Sequence, residues 1–456
     1  MKIYKLFLIA AASVFWIGCE NELEIDPTDT LPGELAISSE ANISAILIGT
    51  YEEMGQEDTY GGELQLMVDL LGTTDEVEWG GTFLDPRQAF TKSILVDNGF
   101  VSTIWRNSYE SINQANLVID NSDIVTSSPE EKDRIEGEAK FLRALAYFDL
   151  VRNFGAPYSP GGGNSQPGVP LRLEGILDYS VTLETARNSV EEVYDQIIND
   201  ANEAYALLPD DNGFYADRFA AQALLARVYF QQGNYAAARD AADDVLQNSG
   251  HSLTADYDGA FNNDTDGPET IFAFQKTSQV SAASGNQLVN FYASQANGGR
   301  GGDVRIQEDY IALFDDPDND FRASFFYISP DNDETLTSKY TNQFANVTIF
   351  RIAEMHLIRA ESNFREGTAL GLAPLAEINA LRARSGAAAL TALNEDLLFN
   401  ERQLELAFEG FLVQDYKRTQ RSVGSLAFDA NALVFPIPQN EMDTNPLMEQ
   451  NPGYGG

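Results

Sequence analysis

The sequence is short of the residues that most often build reactive centres: its 456 positions hold one cysteine and two histidines. A lone Cys19 cannot close an internal disulfide, so a disulfide framework is excluded. Positive charge is scarce as well. Lys and Arg number 29 against 70 Asp and Glu, for a formal net charge of −41. A surface so acidic repels phosphate backbones and anionic headgroups, which excludes nucleic acid as a partner. No Gly-x-Ser-x-Gly elbow, His-Glu-x-x-His pair or phosphate loop is present. Gly298-Gly-Arg-Gly-Gly302 has no Lys-Ser/Thr after it and reads as a turn. With 70 acids, a carboxylate pair at glycosidase spacing carries no information. His356 falls inside a helical hairpin, where packing explains it. No catalytic residue, cofactor or metal is therefore expected, and the chain is not expected to be an enzyme. Asn262-Asn-Asp264-Thr-Asp266-Gly267 imitates the start of a calcium loop, but its twelfth position is Ala273 rather than Glu. Asp316-Pro-Asp318-Asn-Asp320 lacks the glycine, and turn chemistry accounts for both segments.

What the chain does hold is enough apolar material for a large core, with 43% hydrophobic and 11% aromatic residues. The N-terminus reads as a secretory signal over residues 1–18, with Lys2 and Lys5 ahead of the apolar run Leu6 to Ile17. That run is shorter than the ~20 residues a permanent membrane span needs. It ends at Gly18-Cys19, so Cys19 is expected to carry a lipid, and several acyl chains hold a soluble body stably at a membrane. Trp16 is unusual where such sites carry an aliphatic residue. Residues 19–35 form an acidic tether, and a single domain is expected over 36–456.

Helical periodicity then dominates. Ser39 to Met54 and Ser102 to Ile119 read as helices. Ser127-Ser128-Pro129-Glu130-Glu131 starts another, with a serine cap, proline in the first turn and acids behind it. It runs to Asn153 and stops at Gly155-Ala-Pro157. Helix returns at Ser189 to Leu208, Asp217 to Gln232 and Tyr235 to Asn248. The offsets in Leu225-Ala226-Arg-Val-Tyr229-Phe-Gln-Gln-Gly233-Asn-Tyr235 are those of a tetratricopeptide-type hairpin, and Ala360 to Gly367 repeats them. Hairpins are accordingly expected over about 129–248 and 348–386. Between them, about 251–347 loses helical periodicity and reads as a large irregular insertion with short strands such as Thr270 to Gln275. The fold class expected is mainly α: a tetratricopeptide-like helical-hairpin scaffold carrying a loop-rich, ligand-binding insertion.

A stacking surface for a sugar needs a flat aromatic face with planar polar groups beside it, and an aromatic in a polar loop is the place to look. Trp79 lies in Thr74-Asp75-Glu76-Val-Glu-Trp79-Gly-Gly-Thr-Phe83, between helices and beside two glycines. Asn290-Phe291-Tyr292 with Arg300, inside the insertion, is the second candidate. Trp105, Tyr229, Tyr235 and Phe364 sit at helical positions and are read as packing residues. The expected ligand-binding set is thus Trp79, Asp75, Glu76, Phe83, Asn290, Phe291, Tyr292 and Arg300. Scarce Lys and Arg favour neutral glucans or fructans over sulfated or uronate polymers.

Ordered blocks along the chain resemble the SusD/RagB family of outer-membrane nutrient-binding lipoproteins. They are Gly137-Glu-Ala-Lys-Phe-Leu-Arg-Ala-Leu-Ala-Tyr-Phe-Asp-Leu-Val-Arg-Asn-Phe-Gly155, Ser189-Val-Glu-Glu-Val-Tyr and Ala223-Leu-Leu-Ala-Arg-Val-Tyr229. Further on come Glu269-Thr-Ile-Phe, Phe350-Arg-Ile-Ala-Glu-Met-His-Leu-Ile-Arg-Ala-Glu361 and Ile378-Asn-Ala-Leu-Arg-Ala-Arg-Ser-Gly386. The last are Glu405-Leu-Ala-Phe-Glu-Gly410, Asp415-Tyr-Lys-Arg418 and Phe435-Pro-Ile-Pro438. Val413-Gln414 departs from the pattern, which often has an aromatic there. The resemblance implies capture of oligo- or polysaccharide outside the cell, with lipid anchoring at the outer membrane. It also implies a SusC-like, TonB-dependent barrel as partner. Glu20 and Glu22 resemble the surface-export signal of Bacteroidetes lipoproteins. A peptide- or protein-binding member of the same fold is the alternative.

Overall fold

The computed structural model describes residues 33–178, 180, 183–276 and 286–455. The signal segment 1–18, Cys19 and the tether as far as residue 32 lie outside the described residues.

After a single helical turn at Gly33–Ala36, the first longer helix, α1 (Glu40–Met54), starts where the Ser39 side chain accepts the Asn42 N–H. The second, α2 (Glu63–Gly72), carries no sequence signal, because all ten of its residues are buried and no polar face sets a 3.6-residue rhythm. A short strand β1 (Val77–Trp79) and helix α3 (Leu84–Phe90) lead to α4 (Gly99–Asp120), capped by Asn98. Ser128 caps α5 (Pro129–Phe154), with Pro129 at the helix start as the sequence demands. Ser189 and Glu192 close a reciprocal capping box on α6 (Val190–Leu207). Asp217 and Asn234 cap α7 (Arg218–Gln231) and α8 (Tyr235–Asn248). Such caps contribute ~1 kcal/mol each.

Strand β2 (Thr270–Phe274), helix α9 (Gln287–Tyr292) and strands β3 (Val304–Ile306), β4 (Phe326–Ile328) and β5 (Thr335–Thr337) belong to the insertion. Strand β6 (Val347–Arg351) closes it. The strands form three antiparallel pairs, β1 with β3, β2 with β6 and β4 with β5. The last section is helical: α10 (Ile352–Glu366), α11 (Pro374–Arg384), α12 (Glu395–Glu405) and α13 (Leu412–Arg418). The second hairpin therefore begins later than its periodicity suggests. Thr348–Arg351 is strand, because β2 is buried along its whole length and pairs with this β-branched and aromatic stretch.

Neighbours in sequence pack side by side, α5 on α6, α7 on α8 and α10 on α11, with α8 against α10. Alanines at the contacts (Ala139, Ala226, Ala238, Ala242 and Ala360, all buried) let the backbones approach. Gly233 and Gly367, which occupy matched offsets in the two hairpins, both take left-handed backbone, with φ of 72° and 66°. One continuous apolar cluster reaches from Ile43 to Met448.

The helix pairs are bolted by buried ion pairs. Arg143 on α5 grips Asp200 on α6 with two hydrogen bonds of 2.8 and 2.7 Å. Arg227 on α7 does the same to Glu354 on α10, at 2.8 and 2.7 Å. Arg359 on α10 holds Glu377 on α11 at 2.9 and 2.6 Å. A larger knot joins the insertion to the C-terminal helices. Arg351 reaches Glu269 at 2.8 Å, Glu405 at 2.9 Å and Glu409 at 2.8 Å. Arg384 also binds Glu405, and Arg322 stands 3.5 Å from it. Burial alone would raise the Glu405 carboxyl, but the guanidiniums of Arg384, Arg351 and Arg322 outweigh it and hold the group far below the usual carboxylate range.

Removing this charge takes from three buried guanidiniums the carboxylate they share, leaving them only Glu269, Glu409, Asp320 and Glu401. Glu405→Gln is expected to cost ~3–5 kcal/mol of stability, the range for breaking one partner of a buried pair, read as a lowered urea midpoint.

Candidate functional site

The loop after α2 is organised by Glu76, whose carboxylate accepts the Thr74 N–H and hydroxyl at 2.7 and 3.0 Å. Asp75 beside it is exposed. β1 follows and pairs with β3, setting Trp79 opposite Val304. The Gly80 N–H then donates to the Asp303 carbonyl at 2.7 Å. This pairing brings the two candidate segments, distant in sequence, onto one surface. Trp79 and Phe291 lie 6.2 Å apart, and Phe83 meets Phe291 at 6.4 Å and Phe100 at 6.1 Å.

Trp79 is not the stacking face its loop position suggests. It is 2% exposed. A Cβ on Gly81 would stand 2.5 Å from its ring, and one on Gly80 would overlap the Arg305 guanidinium, so the two glycines exist to let these side chains lie flat on the backbone. Trp79 anchors the loop from beneath. Phe291 and Tyr292 are buried too, at 3% and 0% exposure. Tyr292 turns inward, where its hydroxyl reaches Asp69 at 3.3 Å. Their apolar bulk is the reason: α9 packs against α2 and leaves no face for solvent. The aromatic that does face solvent is Phe83, 42% exposed, followed by Leu84 at 68%.

Planar polar groups surround Phe83. The Arg300 guanidinium lies 3.9 Å over its ring centre, and the Arg300 backbone N–H donates to the Asn290 carbonyl at 3.0 Å. Arg305 pairs with Glu334 at 3.1 Å, and Arg87 donates to the Gly81 carbonyl at 2.5 Å. Asp303 and Arg305 escaped sequence reasoning, although Asp303-Val304-Arg305-Ile306 alternates polar and apolar as a half-buried strand does. Phe100 escaped it because it lies ahead of the helix expected from Ser102, in the first turn of the longer α4.

The remaining polar candidates have structural partners. His356 bonds Glu377 between α10 and α11. Asp264 accepts from Asn342 and Asp266 from Asn346, so the calcium-like segment spends its acids on amides. Among the described residues no group of three or more His, Cys, Asp or Glu is arranged to hold a metal ion. Beneath the site, burial raises the Asp69 carboxyl to about 8, although it accepts the Gly410 N–H at 3.0 Å.

Trp79→Ala is expected to cost ~3–5 kcal/mol through the cavity it leaves, whereas Phe83→Ala should stay within ~1 kcal/mol of the parent, both read by chemical denaturation. Asp69 is raised in the folded state, so its contribution to stability is full below the ordinary aspartate range and is lost as pH climbs through about 8. Asp69→Asn keeps an oxygen for Gly410 and should flatten the loss of stability between the ordinary aspartate range and pH about 8, measured as thermal midpoints across that range.

A family profile described as starch-binding and associating with the outer membrane matches residues 23–230, and one for the SusD family matches residues 316–432. A SusD-like protein of Formosa agariphila is 26% identical, with all of both chains covered. A SusD superfamily protein of Bacteroides thetaiotaomicron superimposes with a TM-score of 0.82 at 24% identity, covering 91% of this chain and 100% of that one. A solved structure described as a laminarin-binding SusD-like protein gives a TM-score of 0.74 at 22% identity, over 91% and 100% of the two chains. With its stacked helix pairs, its ordered sequence blocks and these matches across both halves, the chain belongs to the SusD/RagB family.

Proposed function

We propose that this chain is a cell-surface lipoprotein that captures oligo- or polysaccharide and passes it to a SusC-like, TonB-dependent barrel. The observation that carries the reading is the convergence of the β1 loop and the insertion on one exposed aromatic, Phe83, rimmed by Arg300, Asp303 and Arg305. An apolar sugar face stacks on such a ring, and planar carboxylate and guanidinium groups satisfy the hydroxyls around it. The family profile described as starch-binding and outer-membrane associating supports the same assignment. Cys19 is the proposed lipid attachment point, and protease shaving of intact cells tests the outward orientation: a protected protein would mean a periplasmic scaffold instead.

Affinity gels containing laminarin, starch, levan, xylan, mannan, pectin or alginate test the ligand class. Retardation by one polymer is expected, with Phe83→Ala weakening it by ~1–3 kcal/mol while the fold stays intact, the worth of a desolvated aromatic contact. A second reading, capture of peptides, is favoured by a different feature. A cavity of about 480 Å³ is walled by Ile48, Tyr51, Phe214, Tyr215 and Phe274 and is largely apolar. Peptide binding without any glycan retardation would select it.

A further inference from the structure

Three buried polar atoms around the Phe83 surface have no hydrogen-bond partner: Trp79 Nε1, Asp303 Oδ2 and Arg305 Nε. Such atoms are uncommon in folded proteins, and each demands a reason. They belong to one cluster, since a Cβ on Gly81 would touch both the Trp79 ring and the Asp303 carboxyl, and one on Gly80 would strike Arg305. Asp303 is 9% exposed. The nearest cation to its Oδ2 is Arg300 Nε at 3.7 Å, too far for a hydrogen bond. A third of the Arg300 side chain is exposed, and its guanidinium rests on Phe83, where a stacked sugar would sit. It can turn aside without breaking a side-chain hydrogen bond, and doing so uncovers the ring and the carboxylate together.

We propose, resting on the glycan-capture reading above, that Asp303 and Arg300 are the specificity-determining polar edge of this site and that they read the hydroxyls of an uncharged glycan. A hydroxyl donates its proton to a carboxylate oxygen of Asp303 and accepts an N–H from the displaced Arg300, so one sugar group satisfies both. The ligand is uncharged because Arg300 is balanced by Asp303 and the other cations here are already engaged. Arg305 faces Glu334 at 3.1 Å and Glu78 at 3.9 Å, and Arg87 is held by the Gly81 carbonyl. Glu78 and Glu334 flank Arg305, and Asp331 accepts the Gln295 N–H nearby, so acids outnumber the cations at this edge. A uronate or sulfate ester would enter a locally negative site on a chain of net charge −41.

Paired gels of neutral polymers (laminarin, levan, mannan) and acidic ones (alginate, polygalacturonate) test this, followed by calorimetry with the matching oligosaccharide. The expected result is retardation by a neutral polymer only, with Asp303→Asn and Arg300→Ala each lowering affinity roughly tenfold or more, the worth of a hydrogen bond to a charged group. Asp303→Asn is nearly isosteric. Its thermal midpoint, and binding by Asp303→Glu as a carboxylate-retaining variant, separate lost recognition from lost folding. Retardation by alginate or polygalacturonate that fades with salt would overturn the proposal while leaving glycan capture standing. So would neutral-glycan affinity unchanged in a folded Asp303→Asn protein. Failure of every polymer and oligosaccharide to bind would instead remove the glycan reading, and this inference with it.

Discussion

Buried guanidinium–carboxylate pairing is the constraint on which the rest of this structure depends. A carboxylate such as Glu354 or Glu377, wholly removed from water, is costly unless its oxygens are met at close range and good angle. Two-point arginine contacts supply that geometry because the planar fork matches the carboxylate plane. Each contact also fixes the distance and rotation between two helices. Apolar packing against alanine tolerates sliding, whereas a two-point ion pair does not. Arg143, Arg227 and Arg359 therefore set the register of successive helix pairs. Arg418 with Glu361, at 2.7 Å, carries the same device to α13. There burial would raise the Glu361 carboxyl, but Arg418 and Arg365 bring it down to about 2.

The same chemistry makes the irregular insertion rigid. It has few strand hydrogen bonds and short helices, so local structure alone would hold it poorly. Glu269, Arg322, Lys339 and Arg351 lie in the insertion or at its edge, and their partners Arg384, Glu401, Glu405 and Glu409 lie on or beside the C-terminal helices. The knot tethers the loops that present the Phe83 surface. A binding face held in advance loses less conformational freedom on meeting its ligand. Within that face the labour is divided. Trp79 and Phe291 prop the loop from below, and Phe83 and Arg300 meet solvent.

The global charge and the site chemistry are linked through the same pairs. Much of the limited stock of arginine is enclosed, as Arg322, Arg351, Arg382 and Arg402 show, so the exterior is left to acids. The few cations at the surface of the site carry their own carboxylate or carbonyl partners. On the reading proposed above, such a site meets a sugar through its hydroxyls and repels acidic polymers through its net charge.

The sequence by itself determined the helical scaffold. Caps such as Ser128 and Ser189, the Gly233 and Gly367 stops and the 3.6-residue apolar rhythm are local signals, written within a few residues and independent of distant partners. It also singled out two loop segments that the fold brings together around Phe83. Only the tertiary structure decided that α2 exists, since a helix buried on every side has no periodic pattern, and that Thr348–Arg351 is strand, since its partner β2 lies far away in sequence. Tertiary contacts likewise decided which aromatics face water. Trp79 and Phe83 sit in the same polar loop with the same local character, and the pairing of β1 with β3 over α9 turns one inward and leaves the other exposed. Exposure is a property of what packs on top of a residue, and that is supplied by chain distant in sequence.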